Sequence, residues 1–205
     1  MEDNVLRRWT RIDEGETVGK AIDAAPRAGA TLRDFSRFAA LAEKLAGSDF
    51  DLYLPEAERP EFNDACFGPE IEYATFLASA GELALPGRED ALWDGEWAAR
   101  GQREVERLVP FLRRIRDGID AARRASVSRF CRIAEASGLD SDEREAVREC
   151  LDAGDDVSAY EEMCSCLFAD GANLADGLQA EIRQLGRDMG ADPWMWELIA
   201  PNGGH

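Results

Sequence analysis

The chain has 205 residues, of which 42 are acidic and 24 basic, so its formal net charge is −18. Hydrophobic residues make up 45% of the sequence, which is enough for a core without disulfides or metals and excludes a disordered chain. No apolar run reaches the ~20 residues that span a bilayer, and residues 1–30 lack a secretory signal pattern, so we expect a soluble, cytoplasmic protein.

The first predicted helices follow apolar spacings of three and four residues. Residues 4–12 and 17–25 suit short amphipathic helices. The next helix is predicted to begin after Thr31, a capping residue, with Asp34 at the third position, and to end at Gly47. Its buried stripe is predicted to consist of Leu32, Phe35, Phe38, Ala39, Ala42 and Leu45.

Residues 48–69 interrupt this pattern with three prolines and a glycine. Alternating apolar residues there resemble a strand, but no second strand is available for pairing. The prediction is therefore an ordered loop with at most one short extended piece. Pro69 suits the first turn of a helix that ends near Leu83, and residues 84–100 are predicted as loop and short helix.

The most regular pattern covers residues 101–124, where apolar residues alternate at spacings of three and four. Pro110 lies within this seam and predicts a kink or a helix restart. The seam consists of Val105, Leu108, Leu112, Ile115, Ile119 and Ala122. A further helix is predicted over about 126–137, and another begins at Asp140 and ends at Gly154. The last two are predicted from apolar stripes between Tyr160 and Leu167, ending at Gly171, and between Leu174 and Met189, ending at Gly190. A short terminal turn follows.

Helical patterns account for nearly the whole chain, and no internal repeat or low-complexity tract is present. The prediction is an all-α fold: an irregular multi-helix bundle of seven to nine helices with an ordered Pro-rich loop near residues 48–69. We expect one helical domain over residues 1–205, with a candidate subdomain break near residues 84–100.

Basic residues are concentrated in the middle of the chain. Residues 100–132 contain ten arginines and four acids, whereas residues 1–99 and 133–205 carry net charges of −11 and −13. The alternatives for this segment are a solvated or internally paired face, a protein-docking surface and a nucleic-acid contact, which would lack the aromatic residues of single-strand binders. The candidate protein-contact residues, which can share one helical face, are Arg103, Arg107 and Arg114.

The sequence lacks the residues of most catalytic and metal sites. His205 is the only histidine, which excludes histidine-based metal sites and Ser-His-Asp or Cys-His catalysis. Cys164 and Cys166 lie two residues apart in a predicted helix and face different sides, so the five cysteines are interpreted as reduced thiols. Glu58 and Glu61 imitate the magnesium-binding spacing of all-α nucleotide hydrolases, but a Pro-rich loop would not hold them on one face. We expect no catalytic residue, metal or cofactor.

Four tryptophans lie in short segments near glycine and proline. Side chains of this size anchor protein interfaces, and they also plug cores and fix chain ends. Core packing and protein contact are therefore both open interpretations. The tryptophans concerned are Trp93, Trp97, Trp194 and Trp196.

The segment Glu72-Tyr73-Ala74-Thr75-Phe76-Leu77 is a Glu-Tyr pair followed by an apolar helix, and it resembles the helical chaperones that assemble molybdenum oxidoreductases. Those chaperones are acidic, cytoplasmic and of similar length. The Asp-His signature of that family's hinge has no counterpart here, because the chain has no internal histidine. The resemblance implies an assembly chaperone that binds another protein.

Two classes of function follow. The first is a non-enzymatic acidic helical protein that binds another protein with a basic surface, as an assembly chaperone, an adaptor or an immunity- or inhibitor-type protein. The second is an enzyme or small-molecule binder that uses carboxylates and arginines in an interhelical cleft. Converging buried carboxylates would favour the second class, and an exposed apolar patch the first. The net charge disfavours nucleic acid and membranes as partners.

Overall fold

The computed structural model describes residues 9–10, 12–27, 29–46, 48–79, 95–172 and 174–197. Over these residues the chain forms nine α-helices and no strand, which confirms the all-α prediction. The helices are α1 (Ile12–Asp23), α2 (Leu32–Ala46), α3 (Arg59–Cys66), α4 (Pro69–Ser79), α5 (Gly95–Ala136), α6 (Ser141–Asp152), α7 (Asp156–Ala169), α8 (Asp176–Met189) and α9 (Trp194–Glu197).

The chain divides into two compact units. Unit 1 contains Asp13–Asp120, and unit 2 contains the described residues before Asp13 together with those from Ala121 onward. Helix α5 contributes residues 95–120 to unit 1 and residues 121–136 to unit 2. A single folding domain over residues 1–205, with a break near residues 84–100, stays a prediction.

Helix α2 begins and packs as its sequence predicts. The backbone N–H of Thr31 donates to Asp34 Oδ2 at 2.9 Å, and the N–H of Asp34 donates to Thr31 Oγ1 at 3.3 Å. This reciprocal cap satisfies two amide groups that the first turn leaves without helical partners, and it lowers the pKa of Asp34. The six predicted stripe residues of α2 are all buried.

The prediction for residues 48–69 was wrong in its secondary structure. In place of a loop with an extended piece, the segment forms two 3-10 turns, Asp49–Tyr53 and Glu56–Glu58, followed by α3. Pro60 is compatible with a helix here because it lies in the first turn of α3. The N–H group that proline lacks would have no helical hydrogen-bond partner at that position. Pro60 therefore marks a helix start, as Pro69 is predicted to do for the next helix.

Helix α5 is longer than its sequence pattern predicts. It begins before residue 101, passes through Pro110 and continues without the predicted break before residue 126. The segment after residue 120 contains no glycine or proline until Gly138, so nothing in it terminates a helix once one is formed. All six residues of the predicted seam are buried.

Unit 2 is built from the end of α5 and helices α6 to α9 around one apolar core. Asp140 and Glu143 form the predicted capping box at the start of α6. The fully buried Tyr160 on α7 donates its hydroxyl hydrogen to the Ile182 carbonyl on α8 at 2.9 Å. Helix α8 ends at Gly190, whose φ of 71° lies in the left-handed region.

The predicted helix over residues 4–12 lies largely outside the described residues, as does the end of the one predicted to reach Leu83. No helix in the described ranges carries an apolar stretch of the length that a membrane crossing requires.

Candidate functional site

Helix α4 in unit 1 exposes two aromatic side chains next to each other. Its inner face buries Ile71, Ala74 and Leu77, which recur every three residues. On the outer face Tyr73 is 46% exposed and Phe76 is 61% exposed. Residues three apart on a helix are surface neighbours, so the two rings form one patch, which we call the α4 aromatic face.

The α4 aromatic face rests on a tryptophan of α5. The ring centroids of Tyr73 and Trp97 are 5.2 Å apart, with the rings inclined at 60°. Trp97 is only 6% exposed and packs with Leu32 and Leu77. An edge-to-face contact with a buried ring fixes one side of Tyr73 and leaves the other side in solvent.

The first turn of α4 is held by charged residues of α5. The Glu104 carboxylate accepts hydrogen bonds from the backbone N–H groups of Glu70 and Ile71, at 3.4 and 2.9 Å. Arg100 pairs with Glu70. Burial raises the pKa of Glu104, and the two N–H donors partly oppose that rise.

Gly68 makes this approach of Glu104 feasible. A Cβ atom at residue 68 would lie 2.6 Å from the Glu104 carboxylate, which is closer than van der Waals contact allows. The position of α4 therefore depends on Gly68, which precedes the helix, and on Glu104 of helix α5.

The basic segment of α5 is mostly paired inside the protein. Among the described residues, six of its ten arginines form ion pairs with acids. The pairs join Arg100 to Glu70 and Glu96, Arg114 to Glu58, Arg116 to Asp117, Arg123 to Asp156, Arg129 to Asp188 and Arg132 to Glu181. Internal pairing therefore accounts for most of the segment.

The three arginines predicted as protein contacts differ from one another. Arg114 lies 2.9 Å from Glu58 and stacks over the Phe111 ring at 4.7 Å, so its charge is already satisfied. Arg103 and Arg107 are exposed, and within the described residues neither has an ion pair. These two remain available for contact with another molecule.

The tryptophans predicted as candidates also differ. Trp97 and Trp196 are buried, as the core interpretation predicts, whereas Trp194 on α9 is 46% exposed. Trp196 packs edge-to-face on Tyr160, with ring centroids 6.3 Å apart. Trp93 lies outside the described residues.

Tyr73 and Phe76 were not chosen as surface residues from the sequence. Their signal is that α4 carries two aromatic residues on the side opposite its apolar inner face, where a surface helix is ordinarily polar. The same reasoning applies to Phe168 on α7, which is 57% exposed in unit 2.

Two of the cysteines, Cys66 and Cys164, lie in buried environments that suppress their reactivity. All five are free thiols, and Cys66 and Cys164 are buried. Burial raises the pKa of Cys66 to about 12 and that of Cys164 to about 11, which suppresses the nucleophilic thiolate. Among the described residues no group of three or more His, Cys, Asp or Glu side chains could hold a metal ion. The absence of a functional metal stays a prediction.

A cleft of about 680 Å³ lies between the C-terminal end of α1 and α5 in unit 1. Its charged lining residues are two acids and two arginines, all exposed to solvent. They are Asp23, Arg27, Glu106 and Arg113. The volume suits a small organic molecule, but its carboxylates are not buried together.

Comparison with known proteins adds no family to this description. The chain matches no protein-family model, no curated protein and no solved structure. The resemblance of residues 72–77 to chaperones of molybdenum oxidoreductases stays a prediction.

Proposed function

We propose that this is a non-enzymatic acidic helical protein that binds another protein, in the manner of an assembly chaperone, an adaptor or an immunity- or inhibitor-type protein. The observation that carries the proposal is the α4 aromatic face. Tyr73 and Phe76 are neighbouring, partly exposed rings on α4, and Tyr73 packs against the buried Trp97. Aromatic side chains that are rigidly supported and exposed together are typical of interface anchors.

The charge of the chain favours a partner with a basic surface. A net charge of −18 attracts cationic surfaces at long range and repels other acidic proteins. Glu72 lies beside Tyr73 on the exposed side of α4 and adds a local negative charge to the aromatic face. Charge would accelerate encounter, and the aromatic rings would slow dissociation once water is excluded.

The cellular setting is part of the same proposal. We place the protein in the cytoplasm, where its five free thiols would remain reduced.

The test replaces the aromatic face and follows binding to the partner. Affinity capture from the native host with wild-type protein supplies a candidate partner, and binding kinetics are then measured against the Y73S/F76S double variant. We expect the off-rate to rise by at least about tenfold, which corresponds to ~1.4 kcal/mol of lost binding free energy. The on-rate should change little between variants and fall as salt increases.

The matched control is Phe168→Ser, which removes an equally exposed ring from unit 2. It should leave the off-rate unchanged. An equal rise in off-rate for both variants would show that any exposed aromatic ring has the same effect, which would contradict a specific role for the α4 aromatic face. A wild-type off-rate for Y73S/F76S would overturn the proposal. Far-UV circular dichroism checks that each variant is folded.

A second candidate function rests on the cleft between α1 and α5. Its lining of two carboxylates and two arginines agrees with a small-molecule binder or enzyme, and its volume of about 680 Å³ agrees with such a ligand. Glu106→Gln and Arg113→Gln would abolish a ligand-induced rise in melting temperature if this candidate is correct. Neither variant should alter partner binding at the α4 aromatic face.

A further inference from the structure

Both lysines of the chain line one groove. The sequence contains 22 arginines and only two lysines, Lys20 and Lys44. Lys20 on α1 and Lys44 on α2 border a groove of about 520 Å³ in unit 1, together with Arg37. The apolar lining of the groove consists of Ala24, Ala40 and Leu41. This groove is separate from the α4 aromatic face in its residues, and we call it the α1–α2 groove.

The cationic groups of the α1–α2 groove are arranged on two helices. Arg37 and Lys44 are seven residues apart on α2, so they lie on the same side of the helix, about 10 Å apart along its axis. Lys20 faces them from α1. A ligand between the helices would therefore meet positive charge from both sides.

These cations make few ion pairs among the described residues, although Arg37 interacts electrostatically with Asp34 on its own helix. Across the part of the chain that the structure describes, Arg37 and Lys44 have no ion-pair partner within 4.0 Å, and Lys20 has one distant partner, Glu16, at 3.9 Å. That pair is largely exposed and contributes little. By contrast, most arginines of α5 are paired with acids.

Asp23 is the acidic member of the lining. The lining therefore carries three positive charges and one negative charge, for a net charge of +2. The chain as a whole carries −18, so extended polyanions such as nucleic acid or an anionic membrane are repelled. A small anion between the helices would contact the three cations of the lining directly, while Glu16 beside Lys20 and Asp34 near Arg37 partly offset their charge.

We propose that the α1–α2 groove binds a small organic phosphate monoester. Lysine ammonium groups act as compact point charges toward phosphate, and the Arg37 guanidinium can donate two hydrogen bonds to its oxygens. Ala24, Ala40 and Leu41 would contact the apolar substituent of the ester. The Asp23 carboxylate lies on the same lining and weakens the attraction, so its removal strengthens binding.

The experiment exploits the scarcity of lysine. Only Lys20, Lys44 and the α-amino group carry primary amines, so the acetylation rate of each is read from peptide masses with the α-amino group as an internal reference. The probe is phenyl phosphate, and the controls are benzoate and phenol at equal ionic strength. We expect phenyl phosphate to protect both lysines saturably while the α-amino group continues to react.

Variants locate the effect. Arg37→Gln should weaken binding of phenyl phosphate by about tenfold, and Asp23→Asn should tighten it by a few fold. Arg103→Gln removes an exposed positive charge from α5 and should leave binding nearly unchanged. Circular dichroism confirms that these exposed substitutions preserve the fold.

Three results would overturn the proposal. One is protection that fails to saturate or that extends equally to the α-amino group, because it would indicate general ionic screening. Another is equal protection by benzoate, because the groove would then not distinguish phosphate. The last is equal weakening by Arg37→Gln and Arg103→Gln, because only net charge would then matter.

Discussion

Helix α5 places some of its arginines in different environments in the two units. In unit 2, Arg123 lies 2.6 Å from Asp156 with 14% of its side chain exposed, and Arg129 lies 2.6 Å from a largely buried Asp188. In unit 1, Arg114 is 47% exposed beside Glu58, and Arg103 and Arg107 lie in solvent without an ion pair among the described residues. Arg123 and Arg129 are therefore structural in unit 2, whereas Arg103 and Arg107 on the same helix are exposed and available in unit 1.

The Asp156 carboxylate shows why the difference matters. It accepts hydrogen bonds from both terminal nitrogens of Arg123 and from the Trp9 indole N–H at 2.7 Å. Arg123 also donates to the Leu151 and Thr10 carbonyls and lies over the Trp9 ring. A charge with so many partners loses little by leaving water, and its removal leaves several buried groups unsatisfied.

The largest expected effect is that of Asp156→Ala. It leaves the Arg123 guanidinium and the Trp9 indole N–H without their shared acceptor, so we expect the free energy of unfolding to fall by about 3–5 kcal/mol. Urea denaturation followed by circular dichroism measures the loss.

The control for Asp156→Ala is Asp152→Ala, which removes an exposed carboxylate 4.0 Å from Arg148 in the same unit. It should cost less than about 1 kcal/mol. The double variant R123M/D156L should recover part of the loss, because no buried charge then lacks a partner. A loss below about 1 kcal/mol for Asp156→Ala would contradict the structural role of the pair.

The units also differ in where they place aromatic rings. Trp196 is buried against Tyr160 in unit 2, whereas Tyr73 and Phe76 are exposed in unit 1. Trp196 packs directly against the backbone of α8 at Gly186. A Cβ atom there would lie 2.5 Å from the Trp196 ring and 2.7 Å from the Tyr160 hydroxyl.

Gly186→Ala is therefore expected to destabilise the protein by about 1–3 kcal/mol through overpacking, after an offset of ~1 kcal/mol from the better helix propensity of alanine. Gly177→Ala on the same helix has no neighbour within 4 Å and should be neutral or slightly stabilising. Melting curves recorded by tryptophan fluorescence distinguish the two. Equal melting temperatures for the two variants would contradict the prediction, because the core would then accommodate the extra methyl group without loss of stability.

The sequence predicts the helices better than it predicts their partners. Capping residues and apolar spacing are local, so the start of α2, the capping box of α6 and the seam of α5 were all predictable. The partners of Arg123 and Arg129 are 33 and 59 residues away, and no local spacing identifies them. The candidate site is hidden for the same reason: only packing shows that Trp97 is buried under an exposed Tyr73.

A smaller effect is expected from breaking the exposed pair of unit 1. Glu58→Gln removes the carboxylate 2.9 Å from Arg114, where both side chains are more than a third exposed. We expect a loss of less than about 1 kcal/mol that vanishes at high salt, because water and ions already screen the pair. Urea denaturation at low and high salt measures it. A loss as large as that of Asp156→Ala would erase the contrast between the units.

The smallest expected effect is a pH dependence at Glu104. Burial raises the pKa of this carboxyl in the folded protein, so the folded state binds its proton more tightly than the unfolded state does. The contribution of Glu104 to stability is therefore greatest at acidic pH, and it falls as the pH rises from the unfolded pKa, near 4.5, through the raised folded pKa. Glu104→Gln should remove this component from the dependence of unfolding free energy on pH.

Glu106→Gln, which removes an exposed charge from the same helix, controls for net charge. The same pH profile for both variants between pH 4 and 7 would contradict a partly buried Glu104 carboxyl that accepts hydrogen bonds from the N–H groups of Glu70 and Ile71.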